Sequence, residues 1–125
     1  MKRISQFGMV ALLLCFLPTL SVASESAVDR EKLLKDSGVY ATFAVFKMGE
    51  HWWQMDHEAR VKAASEVKKV FEKHADKLIV DTHLLRGLSE RADVLVRIHS
   101  KEMVHNQNFL LDLMGTTMGM DMKNT

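Results

Sequence analysis

Two runs, Leu78-Ile-Val-Asp-Thr-His-Leu-Leu-Arg86 and Ala92-Asp-Val-Leu-Val-Arg-Ile-His99, decide the fold. Both are rich in β-branched and apolar residues, and Gly87-Leu-Ser-Glu-Arg91 between them has the length and the glycine of a hairpin loop. When Asp81 is set opposite His99 and His83 opposite Arg97, Val80, Thr82 and Leu84 share a face with Val94, Val96 and Ile98. Asp81, His83 and Leu85 then lie on the other face with Leu95, Arg97 and His99. The first face is apolar and the second mixed, the pattern of an antiparallel sheet covered by helices on one side.

Upstream, Val39-Tyr-Ala-Thr-Phe-Ala-Val-Phe46 is dense in β-branched and aromatic residues. It reads as a strand buried on both faces and central in its sheet. Between this strand and the hairpin the period changes. Ala64, Val67, Phe71, Ala75 and Leu78 recur at three- and four-residue steps, flanked by Val61 and Val70, with lysines mostly on the other side. Asp56 suits the N-cap, and Glu58 with Lys62 is a favourable i,i+4 pair, so an amphipathic helix is expected here. A second helix is expected from Met103 to Met114, through Val104, Gln107, Leu110, Leu111 and Met114. Residues 24–37 form a polar lead-in with room for one helical turn, closed by Ser37-Gly38.

The order is strand–helix–strand–strand–helix, an α+β arrangement one strand short of the βαββαβ ferredoxin-like unit. Residues 38–125 therefore read as an incomplete ferredoxin-like domain whose last strand is missing. Without that strand the edge of Tyr40–Phe46 is apolar and unpaired, a site for pairing or aggregation. Either another chain covers it, or the sequence belongs to a longer protein.

The chain has 125 residues, 47% of them hydrophobic and 26% charged, which suits one globular domain and excludes a disordered or disulfide-built chain. Its start is different in kind. Lys2 and Arg3 precede the apolar run Met9-Val-Ala-Leu-Leu-Leu-Cys-Phe-Leu17, and Ser21-Val22-Ala23 offers small residues at a cleavage site. Residues 1–23 are read as a signal peptide, which places the mature protein in the periplasm. An uncleaved anchor is disfavoured because the run falls short of the roughly 20 residues that span a bilayer. A lipoprotein is disfavoured because Leu14 stands before Cys15. Cleavage would remove the one cysteine, excluding disulfides and thiol chemistry. It would also leave a near-neutral chain with no electrostatic footprint for nucleic acid.

The chemistry-bearing residues do not converge. Six histidines (His51, His57, His74, His83, His99 and His105) form no i,i+4 pair and no zinc-type spacing. A cross-strand bond from Asp81 to His99 accounts for one of them without a ligand. Met103, Met114, Met118, Met120 and Met122 crowd the C-terminal part. Copper(I) on Met118 and Met120 is one reading, and a packing stripe through Met114, Met118 and Met122 is the stronger one. Trp52-Trp53 could stack a ligand, but caps a core or an interface more readily. There is no nucleophile triad, phosphate loop or paired carboxylate. We assign no catalytic, cofactor-binding or metal-ligating residue.

Taken together, the residues resemble a known family. Arg30-Glu-Lys-Leu-Leu, Gly38-Val-Tyr-Ala-Thr-Phe-Ala-Val-Phe46, Trp52-Trp53, Glu58-Ala-Arg60 and Ala64-Ser-Glu-Val-Lys-Lys69 are similar to the start of a chlorite dismutase. So are Leu84-Leu-Arg-Gly-Leu88, Ala92-Asp93, Arg97, Phe109 and Met114-Gly-Thr-Thr-Met-Gly119. The resemblance implies haem-dependent conversion of chlorite to chloride and O2 on a dimeric α+β barrel built from two ferredoxin-like halves, in a homo-oligomer. It further implies that haem b, its proximal histidine and the distal arginine belong to the second half, which this sequence does not match. His83, Arg97 and His99 therefore receive none of those roles. The fragment alone is expected to be inactive. The alternative, from another class, is an exported α+β binding or oligomerisation domain, with copper on its Met-rich tail as a variant.

Overall fold

The computed structural model describes residues 27–125, so the expected leader, residues 1–23, lies outside the described residues. Helix α1 (Arg30–Lys35) begins where the Asp29 side chain accepts from the Lys32 amide. Gly38, at φ 90°, turns the chain into strand β1 (Tyr40–Met48) in a conformation that glycine adopts freely. The short helix α2 (Glu50–Gln54) precedes α3 (His57–His74), whose N-cap Asp56 accepts from Ala59 N at 2.7 Å. Strands β2 (Leu78–Leu84) and β3 (Val94–Ser100) form the hairpin. Helix α4 (Met103–Met114), one turn of helix α5 (Thr117–Met120) and strand β4 (Met122–Asn124) follow.

The sheet runs β2-β3-β1-β4, and every neighbouring pair is antiparallel. This is the α+β, ferredoxin-like arrangement expected, with one correction. The last strand is not missing: Met122–Asn124 pairs with Phe46, Lys47 and Met48. Three residues are too few to show alternation, and the turn that delivers them depends on tertiary packing. Gly119 lies so close to α4 that a Cβ there would sit 1.9 Å from the Leu113 carbonyl oxygen. The Thr116 hydroxyl caps α5 by accepting from Gly119 N at 3.0 Å. The chain then reverses, and the Asp121 carbonyl accepts from Gly49 N at 2.8 Å.

The hairpin register also differs from the expectation, by two residues. Asp81 lies opposite Arg97, Ile79 opposite His99, and His83 opposite Leu95. The loop is longer than supposed, because the Leu85 carbonyl caps its own turn, accepting from Leu88 N and Ser89 N, while Leu85 N reaches the Asp93 carbonyl. A slip of two leaves each side chain on its face, which is why the apolar face was assigned correctly.

All the longer helices lie on one side. Ala44, Phe46 and Met48 of β1 join Leu78, Val96, Ile98, Phe109, Leu113 and Met122 in the core. Burying each large side chain of this set stabilises the fold by about 1.5–3 kcal/mol. Strand β1 is consequently not buried on both faces: Phe43, on the opposite side, is 61% exposed. The helix faces are rotated as well. In α3 the buried positions are Ala63 and His74, with Val67, Val70 and Phe71 packed beside the core, whereas Ala64 faces outward. In α4 the buried residues are Asn106, Phe109 and Leu113, and the apolar stripe expected inside lies largely outside. Leu111 is 61% exposed and Met103 54%.

Candidate functional site

The sheet face opposite the long helices carries the densest set of polar groups. Arg30 of α1 makes a two-pronged contact with Asp81, 2.9 Å to Oδ1 and 2.7 Å to Oδ2. Arg97 Nη2 reaches the same Oδ2 at 2.7 Å. One carboxylate thus serves two guanidinium groups, and it is held well below the usual carboxylate range, at about 2, chiefly by the hydrogen bonds from Arg30. So acidic a group is a poor base. Beside it, the His99 ring meets Phe43 edge-on at 6.5 Å, and its Nδ1 is buried without a hydrogen-bond partner. Burial and then the neighbouring Arg97 push the imidazole below its ordinary value, so it stays neutral near pH 7. The Asp81–His99 bond expected from the sequence is not formed, because Arg97 occupies the position opposite Asp81.

Helix α1 covers one end of this face. Leu33 and Ile79 are both buried, and Lys101 forms an ion pair with Asp36 just past the helix. The rest of this face, with Ala41, Phe43, Val45 and Leu95, is left partly open.

A second cluster lies between α3 and α4. Asp112 Oδ2 accepts from Lys73 Nζ at 2.8 Å and lies 2.7 Å from His74 Nε2. These contacts, the lysine's first, hold Asp112 below its ordinary pKa. The His74 ring stacks edge-on against Phe109 at 5.6 Å. A shallow cavity of about 390 Å³ beside the pair is lined by Lys73, His74, Lys77, Asn108, Leu111 and Asp112. The histidine is spent on joining two helices.

The tryptophans divide. Trp52 packs beside the core, and its amide is held by the Asp121 carboxylate, while Trp53 carries the Arg86 guanidinium over its ring at 3.7 Å. They act as a cap and a surface clamp. The methionines part in the same way: Met122 is in the core, Met118 packs against it, and Met120 is 73% exposed. The helix ends at Met114 with Gly115 as its C-cap, which breaks the helical stripe expected through Met114, Met118 and Met122. No group of three or more His, Cys, Asp or Glu side chains placed to hold a metal occurs among the described residues. None of the helices there is long and apolar enough to cross a membrane.

No family model matches the chain. The chlorite dismutase of Ideonella dechloratans is 38% identical over 98 residues, covering 78% of this chain and 34% of that protein. The structure of chlorite dismutase from Candidatus Nitrospira defluvii in complex with imidazole superposes with a TM-score of 0.75 at 44% identity, over 78% of this chain and 41% of that one. The chain belongs to the chlorite dismutase family. Several mutants of the same Nitrospira enzyme superpose as well, at a TM-score of 0.74 or 0.75 and 44% identity. The chain spans less than half the length of these chlorite dismutases.

Family membership raises the question of haem, and the described residues do not fit one. His74, the histidine that lines a described cavity, has its Nε2 on Asp112. His99 presents its unpartnered nitrogen from within the sheet, beside Arg97 and Phe43, with no described cavity in front of it. A porphyrin needs a deep apolar slot, and the second described cavity, about 330 Å³, is a groove on the outside of α4 without a histidine.

Proposed function

We propose that this chain is the N-terminal part of an exported, haem-dependent chlorite dismutase, which decomposes chlorite to chloride and O2. In this reading the chain supplies structural wall and contact surface, and the haem b ligand and the oxychlorine-binding groups reside in the remaining part of the protein. The observation that carries the proposal is the 44% identity to chlorite dismutase held over 78% of the chain in a common fold. The half-covered sheet face agrees with it, because Phe43 and Leu95 stand where a second layer would pack. Export to the periplasm rests on the leader pattern of residues 1–23. Assembly into a homo-oligomer is part of the same reading.

The experiment compares two proteins: the 125-residue chain, and the same chain fused in frame to the remaining part of the Ideonella chlorite dismutase. The fusion is expected to show a haem Soret band and chlorite-dependent O2 release, and the short chain neither. Haem-dependent O2 release by the short chain would overturn the assignment of the chemistry to the other part. A folded fusion that lacks both signals would overturn the family function.

A further inference from the structure

We propose that Met103 is a redox-responsive modification site, at which two-electron oxidation of the thioether to a sulfoxide by a peroxide tightens the hold of α4 on β1. The observation that carries this is the place where a chain of hydrogen bonds ends. Ser100 Oγ donates to Asn106 Oδ1 at 2.6 Å, and Asn106 Nδ2 donates to Thr42 Oγ1 at 2.9 Å. Thr42 Oγ1 in turn directs its proton at Met103 Sδ, 4.0 Å away. The earlier links join oxygen and nitrogen at ordinary distances, and each polarises the next in one direction. The last acceptor is a thioether, which is weak, at a separation wider than a good hydrogen bond.

Met103 also carries the network to solvent. The residue is 54% exposed, whereas Asn106 and Ser100 are buried, so a peroxide reaches Sδ without opening the core. A sulfur lone pair attacks one peroxide oxygen, and an S–O bond forms as the O–O bond breaks. The leaving hydroxide takes the proton from the transferred oxygen and departs as water. Sulfur is oxidised by two electrons, and the peroxide is reduced by two. The product bears a strong acceptor oxygen, which the flexible side chain can turn into the gap before Thr42 Oγ1. Met103 is, moreover, the first residue of α4, whose N-terminus has no side-chain cap. The positive end of the helix favours a partly negative oxygen there. Oxidation thus completes a polar network at an exposed position instead of disturbing packing. Met120, 73% exposed on α5, offers the same oxidant a sulfur outside this network.

The inference rests on neither haem nor chlorite, so its failure and that of the proposed function are distinguishable. The folded 125-residue chain is treated with dilute hydrogen peroxide at neutral pH, oxidised residues are located by peptide mass mapping, and thermal melts are recorded. Met103 is expected to gain its oxygen alongside Met120 and well before buried Met48 and Met122. The peroxide-induced change in melting midpoint should be more positive by about 3 °C or more than in Met103→Leu, where Met120 is oxidised all the same. Methionine sulfoxide reductase should reverse it. In Thr42→Val, Met103 should be oxidised without this gain; if that variant does not fold, Met103→Leu decides alone. Three results would overturn the proposal: Met103 still a thioether once Met120 is oxidised, an equal or more negative change than in Met103→Leu, or a gain that persists in Thr42→Val.

Discussion

Asn106 and Ser100 meet in the interior, Oδ1 to Oγ at 2.6 Å, and the same amide donates through Nδ2 to Thr42 Oγ1 at 2.9 Å and the Tyr40 carbonyl at 3.2 Å. One buried side chain of α4 thus fastens the two central strands. Asn106→Ala would remove all three bonds, with Ser100 Oγ keeping only its bond to the Glu102 carbonyl, and each lost bond contributes about 0.5–1.5 kcal/mol. The variant should be destabilised by about 2–3 kcal/mol in urea unfolding, with little change in m-value.

Phe109 is fully buried, and the Phe71 ring meets it edge-on at 5.3 Å. Phe109→Ala should cost about 3–5 kcal/mol. Phe71 is only half-buried and loses less apolar cover, so Phe71→Ala should cost clearly less, about 1–3 kcal/mol. Thermal melts of the two variants check the order. An equal loss would mean that α3 is seated more deeply than described.

Gly119→Ala tests how the fourth strand is delivered. The added methyl would collide with the Leu113 carbonyl and with Met114 Cα, at 1.9 and 2.6 Å. Since both are backbone atoms, α5 must move away. A loss above about 2 kcal/mol is expected, together with faster amide exchange at Gly49, whose partner is Asp121.

Asp81 gives a pH signature. Its folded pKa, about 2, lies below the ordinary 3.8. A depressed carboxylate contributes stability that is fully present above the ordinary value and is lost as pH falls through the folded one. Stability should therefore drop between about pH 4 and pH 2, by ~1 kcal/mol once solvent screening of the pair is allowed for. In Asp81→Asn this share of the drop should be absent, as urea titrations across the window would show.

The strand and helix order and the choice of apolar sheet face were legible because alternation and helical period are local properties of the chain. What was not legible depended on partners distant in sequence. The α4 pattern contains two apolar sides, and nothing in Val104, Gln107 and Leu111 tells which one meets the sheet. Asn106 reads as an exposed polar residue until Ser100 and Thr42 are beside it. The hairpin register turned on the loop, where the Leu85 carbonyl forms its own turn. Strand β4 is only Met122–Asn124, and its position follows from the close contact of Gly119 with α4. The polar cluster was half legible: Asp81, Arg97 and His99 were placed on one face, but the two-residue slip changed which of them pair, and Arg30 comes from the lead-in.

The sharing of Asp81 by Arg30 and Arg97 has a mechanical consequence. If α1 were to peel from the sheet, Arg30 would pass into water, while Arg97 would keep its counter-ion and leave no stranded charge behind. Undocking the helix would then cost the burial of Leu33, the half-exposed Arg30–Asp81 contact and the Lys101–Asp36 pair, without stranding a buried charge. The N-terminal arm is thereby fitted as a removable cover, and what lies beneath it stays electrically composed whether the arm is on or off.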